Sequence, residues 1–138
     1  MKLLTLVLLF MLCFSPTAKQ DDELWKTLLS VKYDYKTDAY IPKFTDKIKA
    51  LDNKTLTIQG YMYALEEAPK HIFFMLSYYP VNMCFFCGGA GPESVIEVNL
   101  KKAVKHTNRQ IQIRGRLKLN ATDRERLFYI LLDAEVVE

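Results

Sequence analysis

The residues in this chain best placed to do chemistry are Cys84 and Cys87. They sit in the run Cys84-Phe85-Phe86-Cys87-Gly88-Gly89, a C-x-x-C-G turn between two apolar stretches. Two thiols at this spacing can share a metal ion, close into a small disulfide or lie buried as a structural pin. In a metal knuckle the backbone N–H groups point at both sulfurs, and Gly88 removes the side chain that would block the tight turn. Zinc takes four ligands and one knuckle supplies two. Glu93 and the chain's two histidines, His71 and His106, are the candidates to complete the set. Soft sulfur donors also suit Cu(I), with Met83 and Met75 as thioethers.

Dithiol–disulfide exchange is the second chemistry open to the pair. An active C-x-x-C needs its thiolate stabilised by a helix N-terminus or a nearby cation. Here Gly88, Gly89, Gly91 and Pro92 oppose a helix, and no Lys or Arg falls between Tyr78 and Val98. Covalent haem attachment lacks its His, because Gly88 stands in that place. The third reading is structural: the pair, with Gly88, Gly89 and Pro92, shapes a sharp turn, and Phe85 and Phe86 plug one end of a core. The chain carries no phosphate-binding loop, dinucleotide fingerprint or nucleophile elbow.

Compartment bears on which of these chemistries is open. Met1 to about Ala18 reads as a signal peptide: Lys2 gives the positive start, Leu3–Phe14 the apolar core, and Pro16-Thr17-Ala18 the break before cleavage. The apolar core is shorter than the roughly 20 residues of a membrane span. Leu12-Cys13 hints at a lipoprotein site, but Leu12 is large where such sites want a small residue. Cleavage would leave about 120 residues, enough for one domain, spanning 19–138. It would also leave Cys84 and Cys87 as the only thiols, in an oxidising periplasmic or extracellular space. No later stretch is apolar for long enough to span a membrane.

Formal net charge is +3. Ser94 to Arg126 nonetheless gathers nine Lys and Arg against Glu97, Asp123 and Glu125. A basic face for an anionic ligand is one reading, and a solvated strand face is the plainer one. Nucleic acid is not an expected partner of an exported chain.

The elements that must hold these residues are mostly strands. Leu24, Trp25, Leu28 and Leu29, preceded by Asp21 and Asp22, predict a short amphipathic helix. Val31, Tyr33 and Tyr35 alternate with Lys32, Asp34 and Lys36, as in a strand or extended arm. Pro42 is expected to break the chain, and Phe44, Ile48 and Leu51 to make a helical turn before a turn at Asp52-Asn53. Five strands follow: Thr55–Leu65, His71–Tyr79, Val95–Leu100, Ile111–Leu119 and Phe128–Val136. The second, almost wholly apolar, is expected to be covered on both faces. Lys101–Asn108 is read as a short helix. Gly60 and Gly115 mark places where a strand coils or bulges. The expected fold is mainly β, a small five-stranded barrel of the oligonucleotide/oligosaccharide-binding (OB) kind with a short N-terminal helix.

The segments Leu51–Met62, with Ile58-Gln59-Gly60-Tyr61-Met62 the most specific, Met83–Val95, and Ile111–Leu117, together with Trp25, carry a resemblance. Over roughly Trp25–Val137 the chain resembles a bacterial family of exported and lipid-anchored proteins known only as a domain of unknown function. Many members have one Cys, then a His and a proline-rich turn. This chain has Phe85-Phe86-Cys87 and Gly91-Pro92-Glu93 instead. The resemblance implies an envelope location and a barrel-like fold, and it supplies no activity, substrate or cofactor. The expectation is a small exported binding or accessory module, not an enzyme, which captures or delivers a metal ion or docks an envelope partner. Thiol–disulfide exchange and a purely structural role are the alternatives.

Overall fold

In the computed structural model the described residues are 17–80 and 90–137, with side chains from Asp22 onward. Helix α1 (Thr17–Leu29) leads into a β-ribbon of β1 (Lys32–Lys36) and β2 (Ala39–Lys43). A single helical turn, α2 (Asp46–Lys49), precedes the barrel strands β3 (Thr55–Tyr63), β4 (His71–Ser77), β5 (Val95–Val104), β6 (Gln110–Leu119) and β7 (Tyr129–Val137). The expected signal segment falls on residues outside the described ones, except for Thr17 and Ala18, which lie in α1. Among the described residues no helix is long and apolar enough to cross a membrane.

The barrel closes in the order β3-β4-β5-β7-β6. Every neighbouring pair is antiparallel except β5 and β7, which run parallel. This is the OB-like architecture that the strand count and glycines suggested. The two-residue period explains what goes inside. On β6, Ile113, Gly115 and Leu117 are buried, while Arg114 and Lys118 are exposed. Ile58, Met62, Phe74, Leu76, Ile96, Val98 and Leu131 complete one continuous core. Gly115 sits where a Cβ would meet Leu131 Cγ at 2.8 Å, inside the register shift between Arg114 and Arg116. Opposite it, Asp133 takes a positive φ of 51°.

Strand direction sorts the loops into two ends. The β3–β4 and β5–β6 loops share an upper end. The β4–β5 connection, the β6–β7 loop and α2 share the lower end. α1 seals the lower side, because β3 pairs with β4 only from Tyr61 to Tyr63 and leaves a seam below. Trp25 fills that seam. It is 2% exposed, donates Nε1–H to Gln59 O at 2.7 Å, and packs on Tyr78. Leu28 is fully buried, and its carbonyl accepts the Tyr129 hydroxyl at 2.8 Å. Burying these two side chains contributes about 1.5–3 kcal/mol each toward the cost of ordering the helix.

Four local expectations change. Asp21 and Asp22 lie within α1, whose first turn holds no acidic residue. Pro42 does not break the chain. It sits in β2 opposite Tyr33, in an isolated ribbon where its missing N–H costs nothing, and Thr37 and Asp38 make the turn with positive φ. Lys101–Asn108 is not a helix: β5 continues to Val104, which pairs with His71. β4 is fully covered on one face and only partly on the other. Phe74 and Leu76 point inward, Phe73 and Met75 are half-buried, and Ile72 is 55% exposed.

Candidate functional site

The segment that carries Cys84, Cys87, Gly88 and Gly89 lies outside the described residues. Its two flanks are well placed. Tyr78 N–H donates to Ser94 O at 2.9 Å, so the β4–β5 connection leaves and re-enters the lower end of the barrel through a closed neck. Tyr79 N–H donates to Ser77 Oγ at 3.2 Å on one side. On the other, Ser94 Oγ and N–H both donate to Gly91 O, at 2.7 and 3.1 Å. Pro92 opens the 3-10 turn Pro92–Ser94, where its fixed φ is favourable, and it is buried.

Glu93 folds back over this turn. Its carboxylate lies so close to the Gly91 α-carbon that any Cβ there would collide with both carboxylate oxygens and, at 2.6 Å, with the Tyr33 hydroxyl. Glycine at position 91 is therefore a condition of this arrangement. Oε2 of Glu93 is buried and has no hydrogen-bond partner. Burial, then the hydrogen bond to Glu93, raises the Tyr33 hydroxyl above its ordinary pKa. Burial, and secondarily the charge of Glu93, pushes Tyr129 up further. A carboxylate with one oxygen unsatisfied, flanked by two tyrosines held protonated, is an incomplete polar cluster.

The β6–β7 loop (120–128) forms the neighbouring wall. Its Phe128 ring packs on Tyr33 at 5.6 Å, and Tyr33 meets Tyr40 edge-on at 5.3 Å. Asn120 organises the loop, donating Nδ2–H to the carbonyls of Asp123, Arg126 and Leu127 while Oδ1 accepts from the N–H groups of Thr122 and Asp123. Glu97, only 5% exposed, ties the loop to β5. Its Oε2 accepts from Arg126 Nε and Nη2 at 3.0 and 2.7 Å, and its Oε1 from Leu127 N–H at 2.7 Å.

His71 and His106 are brought together at the upper end, their rings edge-on with centroids 6.2 Å apart. They border a groove of about 630 Å³ whose remaining wall is Ala64–Pro69. Glu93 is at the other end. His71 opens β4 and Ser77 closes it, a separation of about 20 Å along the strand. The candidates for completing the thiolate pair are thus divided, two imidazoles above and the carboxylate below. Among the described residues no three His, Cys, Asp or Glu converge as a metal-ligand group. The basic stretch is partly neutralised in place: Arg126 by Glu97, Arg116 by Asp133 at 3.3 Å, and Lys101 by Glu135 at 4.0 Å.

Tyr129 and the Glu97–Arg126 pair were not singled out by sequence reasoning. Their partners are 29 or more positions away, and no local pattern marks such pairs.

No family model and no curated protein matches this sequence. Among solved structures, the crystal structure of a DUF3299 family protein from Pseudomonas aeruginosa PAO1 is similar, with a TM-score of 0.51 and 19% identity over 70% of this chain and 68% of that one. That neighbour is itself a bacterial domain of unknown function, and at this identity the likeness shows the fold alone.

Proposed function

We propose that this chain is an exported binding or accessory module, not an enzyme, that captures or delivers a thiophilic metal ion, Cu(I) or Zn(II), at the lower end of its barrel. Cys84 and Cys87 supply the thiolates, and Glu93 supplies a carboxylate oxygen. One observation carries the reading: the buried, unpartnered Oε2 of Glu93 lies in the neck through which the C-x-x-C segment leaves and returns. A cation would satisfy that oxygen, and thiolates suit both metals. The closed barrel gives a rigid frame for such a site, and a barrel of this kind fixes no activity by itself. Exchange chemistry is the weaker reading, because the segment Tyr78–Val98 has no cation to hold a thiolate.

Titration of reduced, metal-free protein with Zn(II) and with Cu(I) under anaerobic conditions tests the proposal. Thiolate-to-metal charge-transfer absorption reads the cysteine site alone: the wild type is expected to saturate this signal at one equivalent, Cys84→Ser to lose it, and Glu93→Gln to reach it with at least tenfold weaker affinity. An unchanged signal in Cys84→Ser, or none in the wild type, would overturn it. Reduction of insulin disulfides by the wild type and not by Cys84→Ser would favour exchange instead.

A further inference from the structure

The upper groove is a different kind of place, and it shares no residue with the cysteine neck. His71 is 3% exposed, yet its Nδ1 is buried without a hydrogen-bond partner. A buried imidazole nitrogen with nothing to bond is costly and calls for a ligand. Across from it stands His106, exposed on the β5–β6 loop, with Nε2 at 3.0 Å from Asn108 Oδ1. Oδ1 can only accept, so in the neutral imidazole this contact calls for the Nε2–H tautomer, the one in which Nδ1 carries the lone pair. This is how a metal-bound histidine is held: one ring nitrogen donates to an oxygen and the other faces the ion.

The spacing suits an ion as well. A zinc–nitrogen bond of about 2.1 Å, added to about 1.2 Å from nitrogen to ring centre, puts each centroid about 3.3 Å from the ion. Two rings on one tetrahedral ion then lie about 5.4 Å apart, so the observed 6.2 Å leaves a shift of about 0.8 Å for the exposed His106 to make on binding. Glu66 and Glu67, in the groove wall, add negative charge and possible oxygen ligands. The two carboxylates do not converge on the rings as they stand, so water or a swing of the β3–β4 loop must complete the coordination.

We infer that His71 and His106 form a second, imidazole-based site for a divalent transition ion (zinc, nickel or copper(II)) in the groove between the β3–β4 and β5–β6 loops. The covered Nδ1 of His71 means the ion enters between the rings, with exposed His106 as the side that moves. The site takes borderline metals on nitrogen, whereas the lower neck offers sulfur for softer ones. It does not depend on the reading of the cysteines.

The decisive experiment uses the Cys84→Ser/Cys87→Ser double variant, so that no thiol contributes. Calorimetric titration with Ni(II) or Zn(II) is expected to give one equivalent, and adding His106→Ala to weaken it at least tenfold without lowering the melting temperature. Paramagnetic broadening by Co(II) of the His71 and His106 ring resonances ahead of all others is a second readout, and it needs no substitution in the groove. An absence of binding by the double variant, equal binding after His106→Ala, or broadening that spares both rings would overturn the inference.

Discussion

Glu97→Ala is the perturbation whose cost the structure lets one work out. The wild-type carboxylate accepts three hydrogen bonds, two from Arg126 and one from Leu127 N–H, and its side chain is only 7% exposed. Hydrogen bonds to a charged group contribute about 1.5–3 kcal/mol each. The Arg126 bonds must be discounted, because that side chain is 39% exposed and regains water when freed. The Leu127 N–H, left without its partner, costs about 1–3 kcal/mol. The sum comes to about 3 kcal/mol. With a urea slope of about 2 kcal/mol per M for a chain of this size, the unfolding midpoint should fall by about 1.5 M. Arg126→Ala should cost at least as much, because it strands the buried carboxylate. The double variant should lose less than the sum, with a coupling of about 1–3 kcal/mol. Hydrogen exchange should localise the damage to the β6–β7 loop, with Leu127 N–H losing protection first. Single variants within about 0.5 kcal/mol of wild type, or strictly additive losses, would refute the reasoning.

Two further outcomes follow from the packing. Gly60→Ala places a Cβ at 2.7 Å from Ser77 O and 2.8 Å from Leu76 Cγ, where the β3–β4 seam begins to close; a loss of about 1–3 kcal/mol in chemical denaturation is expected, and a neutral result would mean that the seam can open. Tyr129, 10.0 in its ordinary state, is pushed well above that by burial, so the folded protein keeps its proton where the unfolded chain releases it; its stabilising contribution is full below about pH 10 and is lost as pH rises toward the folded value, and Tyr129→Phe should flatten that alkaline decline in a series of melting curves.

The strands were legible because each carries its own evidence. Ile113, Gly115 and Leu117 alternate with charged residues, and that period belongs to the strand itself, whatever it pairs with. Trp25 and Leu28 likewise announce a helix with one apolar face. The reading failed where a neighbour overrode the local pattern. Pro42 fits β2 because the ribbon is isolated, and Lys101–Val104 stays extended because its far end is tied across a register shift, with His71 of β4 opposite Val104. The candidate ligands show the same limit, since nothing in the order of residues says which end of a strand meets which loop.

The sequence by itself therefore determined a mainly β chain of five barrel strands with a helix ahead of them, and it named two thiols and two imidazoles as the groups worth watching. Only the tertiary structure decided that His71 and His106, 35 positions apart, face one another, that Glu93 sits at the opposite end beneath Tyr33, and that Glu97 clamps Arg126. Alternation is imposed by the pleat of a single strand and is written residue by residue. Proximity across a barrel is imposed by closure, which couples strand direction, register and the parallel β5–β7 pair, and no segment carries that information alone.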